Sequence, residues 1–191
     1  MSSRDSILRA VQAAQPGKLP LPEVNISSTH KDEVLQFTEV LRGIGGAVIE
    51  VPNREAALQM LKDQFGVAKK VIYARADGVA LSAPNFDPHS LEDVDLAIVE
   101  ASLGVAENGA VWVTEADLNQ RALPFIAQHL AVLLPKQNLV TTMHLAYEKI
   151  GSADYSFGVF IAGPSKTADI EQSLVLGAHG ARTMMVYLLA E

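Results

Sequence analysis

Short runs of apolar residues alternate along the chain with segments of helical spacing, and this alternation limits the possible folds more than any other feature. Residues 130–134 and 159–162 are apolar at every position, as are strands covered on both faces. Residues 31–44 instead place Val34, Phe37, Leu41 and Ile44 at steps of three and four, the spacing of an amphipathic helix. Strands that alternate with helices predict an α/β fold with a largely parallel central sheet.

The same reasoning assigns the remaining elements. Helices are predicted at residues 3–14, 55–65, 138–150 and 168–176, and strands at 47–51, 71–73, 94–99, 110–114 and 184–189. Prolines at positions 16, 20 and 22 predict that residues 1–28 form an N-terminal helix and a Pro-rich linker, with residues 29–191 as the main α/β domain. We expect the first helix to pack on a partner or on a second copy of the chain.

Composition excludes several classes of function. The 191 residues contain 15 Lys and Arg against 22 Asp and Glu, a net charge of -7 that disfavours binding to nucleic acid. Cysteine is absent, so the sequence has no thiolate for a zinc site or an iron–sulfur cluster. The histidines lack metal-ligand spacing and no dinucleotide-binding or Walker motif occurs, so neither a metal nor a cofactor is predicted. Short apolar runs and a polar start predict a cytoplasmic protein without a membrane span.

The most informative segment is G-P-S-K-T-A-D-I-E at residues 163–171, which follows an apolar strand and opens a predicted helix. Gly163 and Pro164 form the corner, and Thr167 is the expected N-cap with Asp169 in the first turn. Ser165 and Lys166 then place a hydroxyl and a cation beside free helix N–H groups, which together could hold a phosphate or a carboxylate. The alternative is an ordinary strand-to-helix turn with good capping.

A second segment, residues 104–109, is a glycine-bounded turn that carries Glu107, Asn108 and Gly109. The Glu107 carboxylate is the candidate catalytic group, as a base or as a nucleophile. Alternatively it accepts hydrogen bonds from backbone N–H groups and fixes the turn. Asn-Gly is also a strong hairpin-turn pair.

Two further sets of residues could bind an anion. Gly177 and Gly180 frame His179, which suggests close backbone approach and an exposed imidazole. Arg121 precedes Leu123 and Pro124 and is a candidate anion clamp, although an ordinary surface arginine is the simpler interpretation.

Together these segments resemble the lactate-utilisation protein C family, also called the LUD domain family. Residues 163–171 are similar to the family pattern G-P-S-[RK]-T-A-D-I-E, residues 177–180 to G-V-H-G, and residues 106–110 to A-E-T-G-T. The stretch from Arg121 to Pro124 resembles R-x-x-x-L-P with shorter spacing. Asn108 and Ala110 stand where the family pattern has threonines, and Ala181 where it has proline.

The resemblance implies a fold and a role. The fold would be the three-layer α/β sandwich of the sugar-phosphate isomerase, deaminase and CoA-transferase superfamily. The role would be in the oxidation of L-lactate to pyruvate, beside two iron–sulfur partner proteins, with a small anionic metabolite as ligand. The residues expected to bind that ligand come from the turn, from Arg121, from the corner and from the histidine loop: Glu107, Asn108, Gly109, Arg121, Gly163, Pro164, Ser165, Lys166, Thr167, Asp169, Gly177, His179 and Gly180.

Two other functions remain open from the residues. A stand-alone isomerase- or CoA-transferase-like enzyme, or a ligand-binding protein, would use Glu107 and residues 163–167 on a sugar phosphate or a CoA ester. A non-catalytic scaffold would use the same glycines only to shape turns. Fold analogy is weak support for either.

Overall fold

The computed structural model describes residues 2–17, 19–20, 32–75, 86–170 and 173–191. Five parallel strands form the central sheet: β1 (Ala47–Val51), β2 (Val71–Tyr73), β3 (Leu96–Glu100), β6 (His129–Pro135) and β11 (Thr183–Leu189). Their order across the sheet is β1-β11-β6-β3-β2. The predicted α/β class with a parallel central sheet is therefore confirmed.

The middle strand β6 shows why its sequence is apolar throughout. Leu130 and Val132 lie in the core on one face of the sheet, with residues of helix α2 (Glu33–Gly43). Ala131 and Leu133 lie in the core on the other face, with residues of helix α3 (Arg54–Gln64). Full burial of each leucine contributes about 1.5–3 kcal/mol, so both faces stabilise the strand. The helices on both sides were predicted from their periodicity.

A second sheet of four strands lies over the face that carries α2. It contains β4 (Leu103–Val105), β5 (Ala110–Thr114), β7 (Leu139–Val140) and β8 (Gly158–Ile161), in the order β7-β4-β5-β8. Val111 and Val113 of β5 join the core of the central sheet. Trp112 points to the opposite face, into a smaller core that includes Ala146. Strands β4 and β7 were not predicted, because Gly104 interrupts the apolar residues of β4 and the two residues of β7 are too few to show a period.

The predicted helix at 138–150 is shorter in the structure, where α6 spans Met143–Ile150. Two β-branched residues, Val140 and Thr141, precede it and favour extended backbone. Thr142 is the N-cap, and its hydroxyl accepts from the backbone N–H of Leu145 at 3.3 Å.

The remaining elements are short, apart from the first helix. They are α1 (Ser3–Ala13), α4 (Glu115–Leu118), α5 (Leu123–Ile126), two 3-10 turns (Pro88–Leu91 and Lys136–Asn138), and strands β9 (Lys166–Ile170) and β10 (Ser173–Leu176). Helix α1 buries none of its residues, and Ile7 and Val11 are more than half exposed. The division at residue 28 stays a prediction, since residues 21–31 lie outside the described part. Within that part, no helix is long and apolar enough to cross a membrane.

Candidate functional site

The segment after the Gly163 corner is a β-hairpin, so the predicted helix at 168–176 is wrong. Strand β9 pairs antiparallel with β10, and Thr167 lies opposite Val175. Neither Thr167 nor Asp169 can cap a helix here, because both belong to β9. The run Leu174, Val175 and Leu176 favours a strand, and this local preference prevailed over the capping pattern. The expected anion site at a helix N-terminus is therefore absent from this part of the described chain.

Direct hydrogen bonds join the corner to the histidine loop. The backbone N–H of Ser165 donates to the carbonyl of Ala181 at 2.8 Å, and the N–H of Gly177 donates to the carbonyl of Ser165 at 3.0 Å. Gly163 and Pro164 are buried, whereas Lys166 and His179 are exposed. The two segments thus form one surface, which we call the motif recess: residues 163–166 and 177–180.

The motif recess lies at the amino end of strand β11, which begins at Thr183. Ligands of open α/β sheets usually bind beyond the carboxyl ends of the strands. The recess lies instead at the end where the parallel strands begin, because its residues belong to the connection that leads from β8 into β11.

The Glu107 turn is fixed by its own hydrogen bonds. The Asn108 side-chain oxygen accepts from the N–H of Ala110 at 3.0 Å. A Glu107 carboxylate oxygen accepts from the N–H of Met143 at 2.6 Å, at the first residue of α6. The Glu107 side chain is exposed and accepts from a backbone N–H, as in the structural alternative, but this N–H belongs to the start of a helix and not to the turn itself. A catalytic role for Glu107 stays a prediction.

The turn and the motif recess both pack on the last turn of α2. Gly109 has φ +68°, and a Cβ added to it would lie 3.0 Å from the Leu41 backbone. Gly163 has φ +73°, and its Cβ would lie 3.1 Å from the Ile44 side chain. Both positions need glycine for its positive φ and for the close approach. The end of α2 is thus shared by the two segments, and among the described residues no backbone hydrogen bond joins the turn to the motif recess.

Arg121 contacts its own neighbours rather than the motif recess. Its guanidinium donates to both carboxylate oxygens of Glu115, at 2.7 and 2.9 Å, and lies 5.2 Å from the ring centre of Phe157. The Arg121 hydrogen bonds hold the pKa of Glu115 below its ordinary value. Since the guanidinium already binds a carboxylate of the chain, Arg121 as an anion clamp stays an untested prediction that this geometry does not support.

A polar cluster around Glu100 was missed by the sequence analysis. Arg54 donates to both carboxylate oxygens of Glu100 at 3.0 Å, Arg75 donates at 3.3 Å, and the Tyr73 hydroxyl also donates. Burial alone would raise the pKa of Glu100, but the Tyr73 and Arg54 hydrogen bonds outweigh it and lower that pKa. Burial, and then the bond to Glu100, raises the pKa of Tyr73 to about 12. The sequence feature that could have indicated this cluster is Glu100 itself, a charged residue at the end of an apolar strand.

This sequence is similar to known proteins over most of its length. The model of the LUD domain family matches residues 87–189. "Lactate utilization protein C" of Geobacillus kaustophilus (strain HTA426) is 27% identical over 188 residues, which cover 93% of this chain and 76% of that protein. The protein of the same description from Geobacillus thermodenitrificans (strain NG80-2) is 34% identical over 166 residues, covering 81% and 68%. The crystal structure of a DUF162 family protein from Deinococcus radiodurans superposes with a TM-score of 0.60 at 18% identity, covering 83% of this chain and 96% of that one.

Proposed function

Because the chain belongs to the LUD domain family, we propose that it serves in L-lactate utilisation as a subunit that binds a small anionic ligand. The family match and the relatives described as lactate utilization protein C support the process. The main structural support for the proposal is that backbone hydrogen bonds of Ser165 join the Gly163 corner to the histidine loop. The residues of one binding site must lie close together, and these two segments, which both resemble patterns of the same family, meet this requirement.

The chemistry of the motif recess favours a carboxylate ligand. Lys166 supplies an exposed ammonium group, and His179 an exposed imidazole. Arg182, also exposed, packs so closely against Gly177 that a Cβ there would lie 2.3 Å from the arginine Cγ. The rim of the motif recess thus carries two cationic side chains, Lys166 beside Gly45 and Arg182 beside Gly177, in a protein whose net charge is -7. L-lactate and pyruvate each carry one carboxylate that such a rim could bind by charge-assisted hydrogen bonds.

We place the redox chemistry of the process on partner proteins. The 191 residues contain no cysteine to ligate an iron–sulfur cluster. Helix α1 offers Ile7, Leu8 and Val11 as exposed apolar residues for contact with such a partner. Exposed apolar side chains that lie together on one helix commonly mark a protein interface.

Growth on a single carbon source tests the proposed process. Deletion of the gene in the source organism should stop growth on L-lactate and leave growth on pyruvate unchanged, because pyruvate is the product of the step concerned. Restoring the gene should restore growth on L-lactate. Undiminished growth of the deletion strain on L-lactate would contradict the proposal, and equal loss on both carbon sources would show a different role.

Two variants separate the ligand site from the process. Lys166→Ala should weaken the binding of small carboxylates in calorimetric titration while the thermal unfolding temperature stays the same, because the side chain is exposed. Lys69→Ala, at an exposed lysine on the connection to β2, is the matched control. If Lys166→Ala unfolds the protein, or if both variants bind alike, Lys166 does not bind the ligand.

A further inference from the structure

A large cleft opens on the outer side of the second sheet, away from the motif recess. Its volume is about 920 Å³. Roughly 300–1,000 Å³ is typical of small-molecule sites. The walls come from β4, β5, α4, the C-terminal end of α6 and the loop that follows it, and include Trp112, Asn119, Asn138, Lys149, Asp154 and Tyr155. No residue of the motif recess lines this cleft, so we call it the outer cleft.

One wall of the outer cleft is aromatic and apolar. The Tyr155 ring stands edge-on to Trp112, with ring centres 5.4 Å apart and planes at 80°. Tyr155 is 41% exposed, so part of its ring is available to a ligand, while Trp112 is almost buried. Leu103 and Ile150 extend the same apolar wall. A flat or bulky apolar group would bury surface there and gain contacts with the aromatic rings.

Another part of the lining comes from Asn119, which follows helix α4 in the left-handed backbone conformation. Asn119 has φ +57° and is the single non-glycine residue with positive φ in the described ranges. Its side-chain amide donates to the carbonyl of Ala74 at 3.0 Å, which anchors the residue in that conformation. Asparagine adopts this conformation more readily than other residues with side chains, and here it ends helix α4.

The charges that line the outer cleft are balanced. Glu115 is neutralised by its two hydrogen bonds from Arg121. Lys149 and Asp154 remain, and no ion pair joins these two described residues. The cleft therefore presents one positive and one negative group at separate places. A simple carboxylate or a phosphate would meet repulsion from Asp154, whereas a ligand with both charges would satisfy both groups.

From this arrangement we propose that the outer cleft binds a zwitterionic ligand with an aromatic or large apolar side chain, namely a free amino acid or a short peptide. The ligand carboxylate faces Lys149 and its ammonium group faces Asp154. The side chain packs on the wall of Tyr155 and Trp112, and the Asn138 amide offers a further hydrogen bond. The site is separate from the motif recess and does not depend on the role in lactate utilisation.

The fluorescence of Trp112 tests the proposal directly, because it is the only tryptophan in the sequence. Titration with L-phenylalanine, which does not absorb where tryptophan is excited, should give a saturable change within about 10 mM, as expected of a weak exposed site. The analogue 3-phenylpropanoate lacks the ammonium group, and 2-phenylethylamine lacks the carboxylate. Each should bind about tenfold more weakly, since each loses a hydrogen bond between charged groups. No saturable change with L-phenylalanine, or equal affinity for it and either analogue, would overturn the proposal.

Two charge variants test which side chain binds the carboxylate of the ligand and which binds its ammonium group. Lys149→Met should remove the preference for L-phenylalanine over 2-phenylethylamine, and Asp154→Asn should remove the preference over 3-phenylpropanoate. Lys62→Met is the matched control, because Lys62 and Lys149 both lie in the last turn of a helix and interact alike with its dipole. Retention of both preferences in the two charge variants would also overturn the proposal. The comparison of analogues on the unaltered protein decides the matter even if a variant fails to fold.

Discussion

Replacing Glu107 distinguishes its observed cap contact from the predicted catalytic role. A Glu107 oxygen accepts from the N–H of Met143 at 2.6 Å, and this N–H is one of the donors that a helix start leaves without a partner. Glu107→Ala removes both the acceptor and the negative charge at the helix start. Glu107→Gln keeps an acceptor and removes only the charge.

The expected losses follow from these two contributions. Loss of a capping hydrogen bond costs about 1 kcal/mol, and loss of a negative charge at an exposed helix start costs about 0.5 kcal/mol. Glu107→Ala should therefore lower the free energy of unfolding by about 1.5 kcal/mol in total. For a chain of 191 residues this corresponds to a decrease in Tm of roughly 3–6 °C. Glu107→Gln should lower Tm by roughly 1–2 °C.

Calorimetric unfolding measures both effects, and Glu148→Ala is the control. Glu148 is exposed near the C-terminal end of the same helix, where a negative charge opposes the dipole, so its removal should leave Tm unchanged or slightly raised. If Glu107→Ala and Glu148→Ala unfold at the same temperature, the cap has no energetic role. A stable Glu107→Gln protein that no longer supports growth on L-lactate would support the predicted catalytic role of Glu107.

Further measurements test other parts of the structure. Gly163→Ala should destabilise by about 1–3 kcal/mol in urea unfolding, because its φ is +73° and Ile44 lies close, whereas Gly43→Ala in open space should stabilise α2 by about 0.5 kcal/mol. The folded pKa of Glu100 lies below its ordinary value of 4.5, so the carboxylate stabilises the fold above that pH and the effect is lost as pH falls through the folded pKa. Glu100→Gln should therefore unfold with a shallower pH dependence below pH 4.5, and an unchanged acid profile would contradict this. Tyr73→Phe should remove only absorbance that appears near pH 12 in an ultraviolet titration, because Tyr73 ionises there, and a loss of absorbance near pH 10 instead would show that Tyr73 ionises normally.

The central sheet could be predicted from local sequence because its signals are strong. The run at 130–134 is apolar on both faces, and the structure covers both faces of β6. Helix α2 was predicted from the spacing of Phe37 and Leu41, which are fully buried. In these elements burial and periodicity agree, so tertiary contacts reinforce the local preference.

The hairpin of β9 and β10 could not be predicted in this way. Thr167 and Asp169 form a sound capping pattern for a helix, and the decisive contacts are the pairings with β10. The bonds that join Ser165 to Ala181 and Gly177 likewise depend on the completed fold. In the Glu100 cluster, Arg54 binds a residue 46 positions away in the sequence. Helix and strand periodicity predicts only local structure, so it cannot indicate a contact over that distance. Cavities such as the outer cleft arise between elements and leave no local pattern.

Conversion of L-lactate to pyruvate in extracts of a deletion strain tests the proposed role most directly. We expect the extract that lacks this chain to lose L-lactate oxidation, and the purified protein to restore it when added back. The Lys166→Ala protein should restore less than the unaltered protein at equal concentration. Full L-lactate oxidation in the extract without the chain would contradict the assignment to lactate utilisation, and full restoration by Lys166→Ala would contradict the motif recess as the ligand site.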